Sequence, residues 1–192
     1  MQRLSDLALI AQVVTLGSER AFGQLVHAHQ EAVRRFLRRL TAGDEMRADD
    51  LAQETFIRAW QGLNSFKQLS GFQTWLLSIA YRAFIDDERV QKRSPLAHEG
   101  ESLTSIDTGA AATGLSSREA SKAGLAIDLD KAFATLTEAE RTCVTLQCIE
   151  GQSIKDITAI TGMNENTVKS HLLRGKKNLA NYLQRNGYDG KR

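Results

Sequence analysis

A single proline, Pro95, occurs in 192 residues. Proline removes a backbone donor and clashes with the preceding turn, so a chain nearly free of it has little to interrupt long helices. Pro95 directly follows the basic run Gln91-Lys92-Arg93-Ser94, where a helix would stop. Strand-like alternation is hard to find anywhere, and apolar residues recur three and four apart. These patterns imply an all-α chain.

Ser5 is placed to cap a first helix ending near Gly17. Ser18 is placed to cap a second, running to about Thr41, with Phe22, Leu25, Val26, Val33, Phe36, Leu37 and Leu40 at helical spacing. Gly43-Asp44 breaks the pattern, and Asp49 is a plausible cap for a third helix through Trp60. Residues 62–71 are a loop by composition, and Phe72 to Arg93 reads as one helix. From Ser94 to about Lys122 the chain is rich in Ser, Ala, Gly and Thr, lacks aromatics, and reads as a flexible linker. Apolar periodicity resumes with Leu129, Phe133 and Leu136. Thr137 and Glu140 form a capping box for a helix to about Ile149. Gly151-Gln152-Ser153 closes that helix and caps the next, which has Ile154, Ile157 and Ile160 on one side. Gly162 supplies a tight turn, and Asn164 caps a last helix from Glu165 to about Leu183. Helix, short Gly-containing turn, helix is the helix-turn-helix layout. The expected organisation is two small helical domains, 1–93 and 125–192, joined by a flexible linker over 94–124.

Three faces carry candidate functions. On the last helix, Val168, Leu172, Leu179 and Leu183 turn inward. Ser170, Arg174 and Lys177 lie opposite, flanked by Thr167, Lys169 and Leu173. Such a face suits a major groove: arginine for guanine or phosphate, lysine for phosphate, leucine for a thymine methyl group. A solvated amphipathic face is the plain alternative. On the Phe72 to Arg93 helix, Phe72, Trp75, Leu76, Ile79, Ala80 and Ala83 form the core stripe. Thr74, Ser78, Tyr81, Arg82, Arg89 and Lys92 take the other side, with Tyr81 nearly opposite the core. An exposed aromatic among cations can stack on unpaired bases, unless the linker or the other domain covers it. On the third helix Asp50, Gln53, Glu54 and Ile57 face outward. That acidic, partly apolar patch would repel nucleic acid and suits a protein partner better.

The remaining features mostly exclude. Net charge is +2, so any nucleic-acid role rests on charge placement. Arg34, Arg35, Arg38 and Arg39 form one basic cluster. From Asn164 onward seven Lys/Arg stand against two acids. Cys143 and Cys148, five apart, lie on different sides of a helix and read as reduced thiols. Met1 to Leu16 is interrupted by Arg3 and Asp6 and lacks a cleavage-like site, and no apolar run approaches about 18 residues. A cytosolic protein with no membrane insertion is expected. His27, His29, His98 and His171 form no metal-ligand spacing with the cysteines. No nucleophile elbow or phosphate-cradling loop appears, so no catalytic residue, metal or cofactor is expected.

The segments DDLAQETFIRAW, SFKQLSGFQTWLLSIAYRAFIDDERVQKR and LTEAERTCVTLQCIEGQSIKDITAITGMNENTVKSHLLRGKKNL resemble, in order, conserved regions two and four of bacterial sigma factors. The size, with no intervening third domain, resembles the extracytoplasmic-function (ECF) group. The resemblance implies a factor that binds core RNA polymerase (β′ and β subunits), locates promoter DNA and helps open it. It places Asp50, Gln53 and Glu54, with neighbouring Ile57, against the β′ clamp helices. It makes the loop with Asn64, Phe66, Lys67, Gln68 and Ser70 the segment that captures a flipped −10 base, beside Tyr81, Arg82, Arg89 and Lys92. Lys169, Ser170, Leu173 and Arg174, flanked by Thr167 and Lys177, match the −35 readers. It also implies control by an anti-sigma protein. TVKSHL is close as well to helix-turn-helix regulators of the response-regulator type, which act without binding core polymerase. Those usually carry a strand-containing receiver domain that the first half here lacks.

Overall fold

A computed structural model describes residues 2–93 and 128–188; the linker expected over 94–124 lies outside them. Among the described residues every regular element is helical and no strand occurs. The first unit comprises α1 (Gln2–Leu16), α2 (Glu19–Leu40), α3 (Glu45–Gly62), a short 3₁₀ turn (Leu63–Ser65) and α4 (Phe72–Arg93). The second comprises α5 (128–134), α6 (Glu138–Val144) with a π turn (Thr145–Ile149), α7 (Ile154–Thr161) and α8 (Glu165–Arg185).

α2 is the spine. Ala21, Leu25, His29, Val33, Phe36, Leu37 and Leu40 form one buried stripe along it, and α1, α3 and α4 all pack against it. Ser18 caps it as expected, accepting from the Ala21 amide at 3.2 Å. Two starts differ from the sequence reading. α1 begins before Ser5, so Ser5 is not its cap. α3 begins at Glu45, because Gly43 at φ +93° reverses the chain and delivers Asp44 in extended conformation. The Asp44 carboxylate then accepts from the Arg47 amide at 3.0 Å. Asp49 lies inside α3 and pairs with Arg34 at 3.1 Å.

α4 spans Phe72–Arg93 as read, but its buried arc is wider and rotated. Thr74, Leu77 and Phe84 are buried, while Trp75 and Ile79 are only partly covered. At about 100° per residue, the arc from Phe72 through Leu76, Ala80, Phe84 and Leu77 to Thr74 covers roughly 200°. One stripe serves α2 and α3, and the rest meets α7.

In the second unit Thr137 and Glu140 form the expected capping box. Gly162 takes a left-handed conformation (φ +74°) at the end of α7, and the Asn164 side chain accepts from the Thr167 amide at 2.8 Å to start α8. α8 crosses α6 where Gly175 is buried. A Cβ there would lie 2.7 Å from Val144 Cγ2 and 3.3 Å from Glu140 Cβ. Alanine gains about 1 kcal/mol of helix propensity over glycine, whereas overpacking costs about 1–3 kcal/mol. The valine methyl sits on a short, stiff side chain, so overpacking should win. Gly175→Ala should lower the urea midpoint of unfolding, and a raised midpoint would show that the α6–α8 contact yields freely.

The two units interlock. The Arg35 guanidinium grips Glu150 with two hydrogen bonds of 2.8 and 2.9 Å, and the Glu150 side chain is 0% exposed. Thr74 donates to Gln152 at 2.8 Å. Arg39 pairs with Asp130 and covers the Phe133 ring, 4.7 Å from its centroid. Arg141 reaches across to the Leu40 carbonyl at 3.3 Å, satisfying an orphan acceptor at the end of α2. The basic cluster of α2 is therefore structural: Arg34, Arg35, Arg38 and Arg39 are each paired with an acid, Asp49, Glu150, Glu45 and Asp130 respectively.

Candidate nucleic-acid and polymerase interfaces

α8 presents its outer face to solvent. Val168 and Leu172 are buried beneath it, while Lys169, Ser170, Leu173, Arg174 and Lys177 are exposed and Thr167 is half-buried. Leu173 is an apolar side chain left 73% exposed. The N-terminus of α8 opens onto a shallow groove shared by Asn164, Thr167, Ser170 and Arg174. Lys169 is held by Glu165 at 2.6 Å, an i,i+4 pair at the surface. Arg174 lies 3.4 Å from His171 Nδ1 and 3.9 Å from Glu140. Long, weak contacts of this kind leave its guanidinium available to a better partner.

On α3, Asp50, Gln53 and Ile57 are exposed. Glu54 is less free than the sequence suggests. It accepts from Arg58 at 2.7 Å, and Arg58 also reaches Asp86 of α4 at 2.9 Å. Exposed Met46 and Val90 flank a groove between α3 and α4, floored by Leu51 and rimmed by Asp50 and Asp87. Apolar side chains ringed by acids suit a protein surface carrying cations better than a phosphate backbone. Arg47 holds the two helices together, donating to Asp87 at 2.7 Å and Glu88 at 2.6 Å. Burial alone would raise the Glu88 carboxyl; hydrogen bonds from Arg47 and Lys92 outweigh it and hold the group below the usual carboxylate range.

The residues considered for the −10 element form a strip. Asn64, Lys67 and Gln68 are exposed on the loop before α4, with Phe66 and Ser70 half-buried. Tyr81 and Lys92 follow about 14 and 30 Å along the α4 axis, at 1.5 Å per residue. Arg82, Arg89 and Lys92 are exposed, and Arg89 and Lys92 have acidic neighbours on α4, Asp86 and Glu88. Tyr81 departs from the sequence reading. It is half-buried at the edge of the buried arc and packs against the core, in a crevice between α4 and α7 shared with Ile160 and Gly162. Burial first, then the Glu138 charge, push its phenol above the ordinary range. The wheel placed it opposite the core because the second unit, which forms the other wall, was not in the wheel.

Sequence reasoning missed Asp6 and His29. Asp6 falls at the i, i+4, i+7 spacing with Ile10 and Val13, so an acid on a buried stripe was the available signal. Both are nearly buried and paired at 3.1 Å. Among the described residues no group of histidines, cysteines and acids could hold a metal ion. Cys143 and Cys148 are free, and burial pushes the Cys143 thiol up to about 11, so it stays protonated at neutral pH. No described helix is long and apolar enough to cross a membrane.

Two helical units, the second built as a capped helix-turn-helix with an exposed polar face, have the layout of a transcription factor. A sigma-70 region 2 family model matches residues 25–94, and a sigma-70 region 4 model matches residues 126–179. The ECF RNA polymerase sigma-E factor of Haemophilus influenzae is 30% identical over 189 residues, covering 95% of this chain and 97% of that one. Its counterpart from Escherichia coli K12 is 28% identical over the same length, with 95% and 96% covered. Two solved structures share the fold. The sigma factor RpoE in complex with the anti-sigma factor NepR from Bartonella quintana gives a TM-score of 0.68 at 27% identity, over 85% of this chain and 96% of that one. CnrH in complex with the cytosolic domain of CnrY gives 0.67 at 26%, over 94% and 98%. The chain belongs to the sigma-70 family and is an ECF-type sigma factor, a transcription initiation factor. The response-regulator reading is not favoured, because the first half is a sigma region 2 and not a receiver domain.

Proposed function

We propose a division of labour among the three faces. The α3 face with Asp50, Gln53, Glu54 and Ile57, together with the acidic groove beside it, docks on the β′ clamp helices of core polymerase in the cytoplasm, with further contacts to β. The outer face of α8, through Thr167, Lys169, Ser170, Leu173, Arg174 and Lys177, reads the −35 element. The 64–70 loop, with Arg82, Arg89 and Lys92 along α4, engages the −10 element and the melted strand, and Tyr81 joins them once the second unit moves off α4. An anti-sigma protein is the natural antagonist, since both solved relatives described above are held by a partner of that kind or by the cytosolic domain of a second protein. The observation that carries this reading is the exposed polar face of α8 behind a Gly162 turn, in one chain with an acidic α3 face unsuited to DNA.

Reconstituted transcription tests it. The purified chain should copurify with core polymerase in the absence of DNA and confer initiation on a subset of promoters in a genomic library. Arg174→Ala should then reduce discrimination at one −35 position by about tenfold or more, as expected for losing a charged contact to a base edge, with core binding unchanged. Loss of core binding in that variant would show that the α8 face has been misassigned. Specific duplex binding by the free chain with no polymerase association would remove the reading altogether.

A further inference from the structure

A small cavity of about 110 Å³ opens beside the 64–70 loop, walled by Phe66 and Phe72, with Gln68 and Ser70 at its rim and Asp6 and Leu7 of α1 on the far side. Among the described residues its one ionisable wall group is Asp6, whose side chain is 8% exposed. The carboxylate is fixed from behind, with Oδ2 3.1 Å from His29 Nε2. His29 is itself held edge-on against Phe72, ring centroids 5.2 Å apart, and is 3% exposed. Phe66 meets Phe72 edge-on at 5.7 Å. At the lip, Gln68 adopts φ +57°, a conformation a non-glycine residue rarely takes, and the next side chain, Leu69, stands 90% exposed. Lys67 is exposed beside it.

Each part has a counterpart in an extruded base. Aromatic walls favour a planar ring. An exposed apolar side chain at the tip of a strained loop can fill the gap left in a base stack, and a neighbouring lysine suits the adjoining phosphate. An ionised carboxylate only accepts hydrogen bonds, so a group facing it must donate. Cytosine offers an exocyclic amine there, whereas thymine offers a carbonyl oxygen that the carboxylate repels. The volume suits one ring better than two. We infer that Asp6 is a specificity-determining residue that selects a flipped cytosine by accepting from its exocyclic amine, with His29 as the positioning residue that holds the carboxylate. This rests on the proposed role of the loop in −10 capture.

The test uses holoenzyme assembled from core polymerase and the full chain, with forked probes from a promoter it transcribes. An abasic site is walked along the −10 non-template strand. One position should stand out as sensitive, and it should carry cytosine. Replacing that cytosine with 2-pyrimidinone, which lacks only the amine, should weaken binding about tenfold or more, as for losing a hydrogen bond to a charged group. Asp6→Asn should erase most of the difference between the two bases. The base substitution needs no protein variant, so a folding defect in Asp6→Asn cannot hide the answer. Equal binding of cytosine and 2-pyrimidinone at an abasic-sensitive position overturns the role of Asp6 while leaving the loop reading intact. No abasic-sensitive position at all overturns both.

Discussion

Phe36→Ala should destabilise the chain by about 3–5 kcal/mol, the cost of emptying a fully buried aromatic site. Phe36 is 0% exposed at the middle of the α2 stripe, in one buried cluster with Val33, Leu37, Leu76 and Ala80. Total stabilities of about 5–15 kcal/mol make such a loss a large fraction of the whole. Urea denaturation followed by circular dichroism would read it as a shift in midpoint. A change below about 1 kcal/mol would mean that Phe36 is not at the centre of the packing described here.

Arg35→Ala should act differently. It leaves the Glu150 carboxylate, 0% exposed, without its main partner; among the described residues Gln73, at 3.4 Å, still donates to it. Stranding a buried charge costs about 3–5 kcal/mol when the structure cannot respond. Here it can, because Glu150 lies between the two units and regains water if they part. The variant should therefore open rather than unfold. Small-angle scattering should show a larger radius of gyration with helical content retained. Tyr81 supplies a second readout. The closed arrangement favours its neutral phenol, so this contribution to closure is complete below the ordinary phenol range near pH 10 and is lost as pH rises through the raised folded value. In Arg35→Ala the phenol should ionise closer to its ordinary range. Adding Glu150→Gln should restore compactness, because a neutral amide costs far less to bury. An unchanged radius in Arg35→Ala would show that the clamp is not what holds the units together.

Local rules carried the sequence reading furthest. The capping box at Thr137 and Glu140, the Gly162 turn, the Asn164 cap and the full extent of α4 were all legible, because each depends on residues within a few positions of one another. The outer face of α8 was legible for the same reason: one wheel with one buried side. What was not legible depended on partners far away in sequence. Thr74 is buried where the second unit meets α4 and its hydroxyl reaches Gln152, while Phe84 lies under Arg47 of α3. Arg35 and Arg39 look like a solvated charge run, yet their acids lie 115 and 91 residues away. Glu54 is the exception: its partner Arg58 lies one helical turn on, a local pair that the outward-facing pattern alone does not reveal, and Arg58 also reaches Asp86 on α4. Asp49 is a plausible cap from its residue type alone, yet α3 starts after Asp44, directly behind the Gly43 turn.

The contact between Thr74 and Gln152, with Tyr81 tucked beneath α7, has a consequence for affinity. A ligand that needs this stretch of α4 binds only those molecules in which the two units have separated. Its apparent dissociation constant equals the intrinsic one divided by that fraction. If one molecule in a hundred were open, binding to this face would look about a hundredfold weaker than its contacts warrant. Any partner that held the second unit elsewhere would recover that factor without touching the ligand.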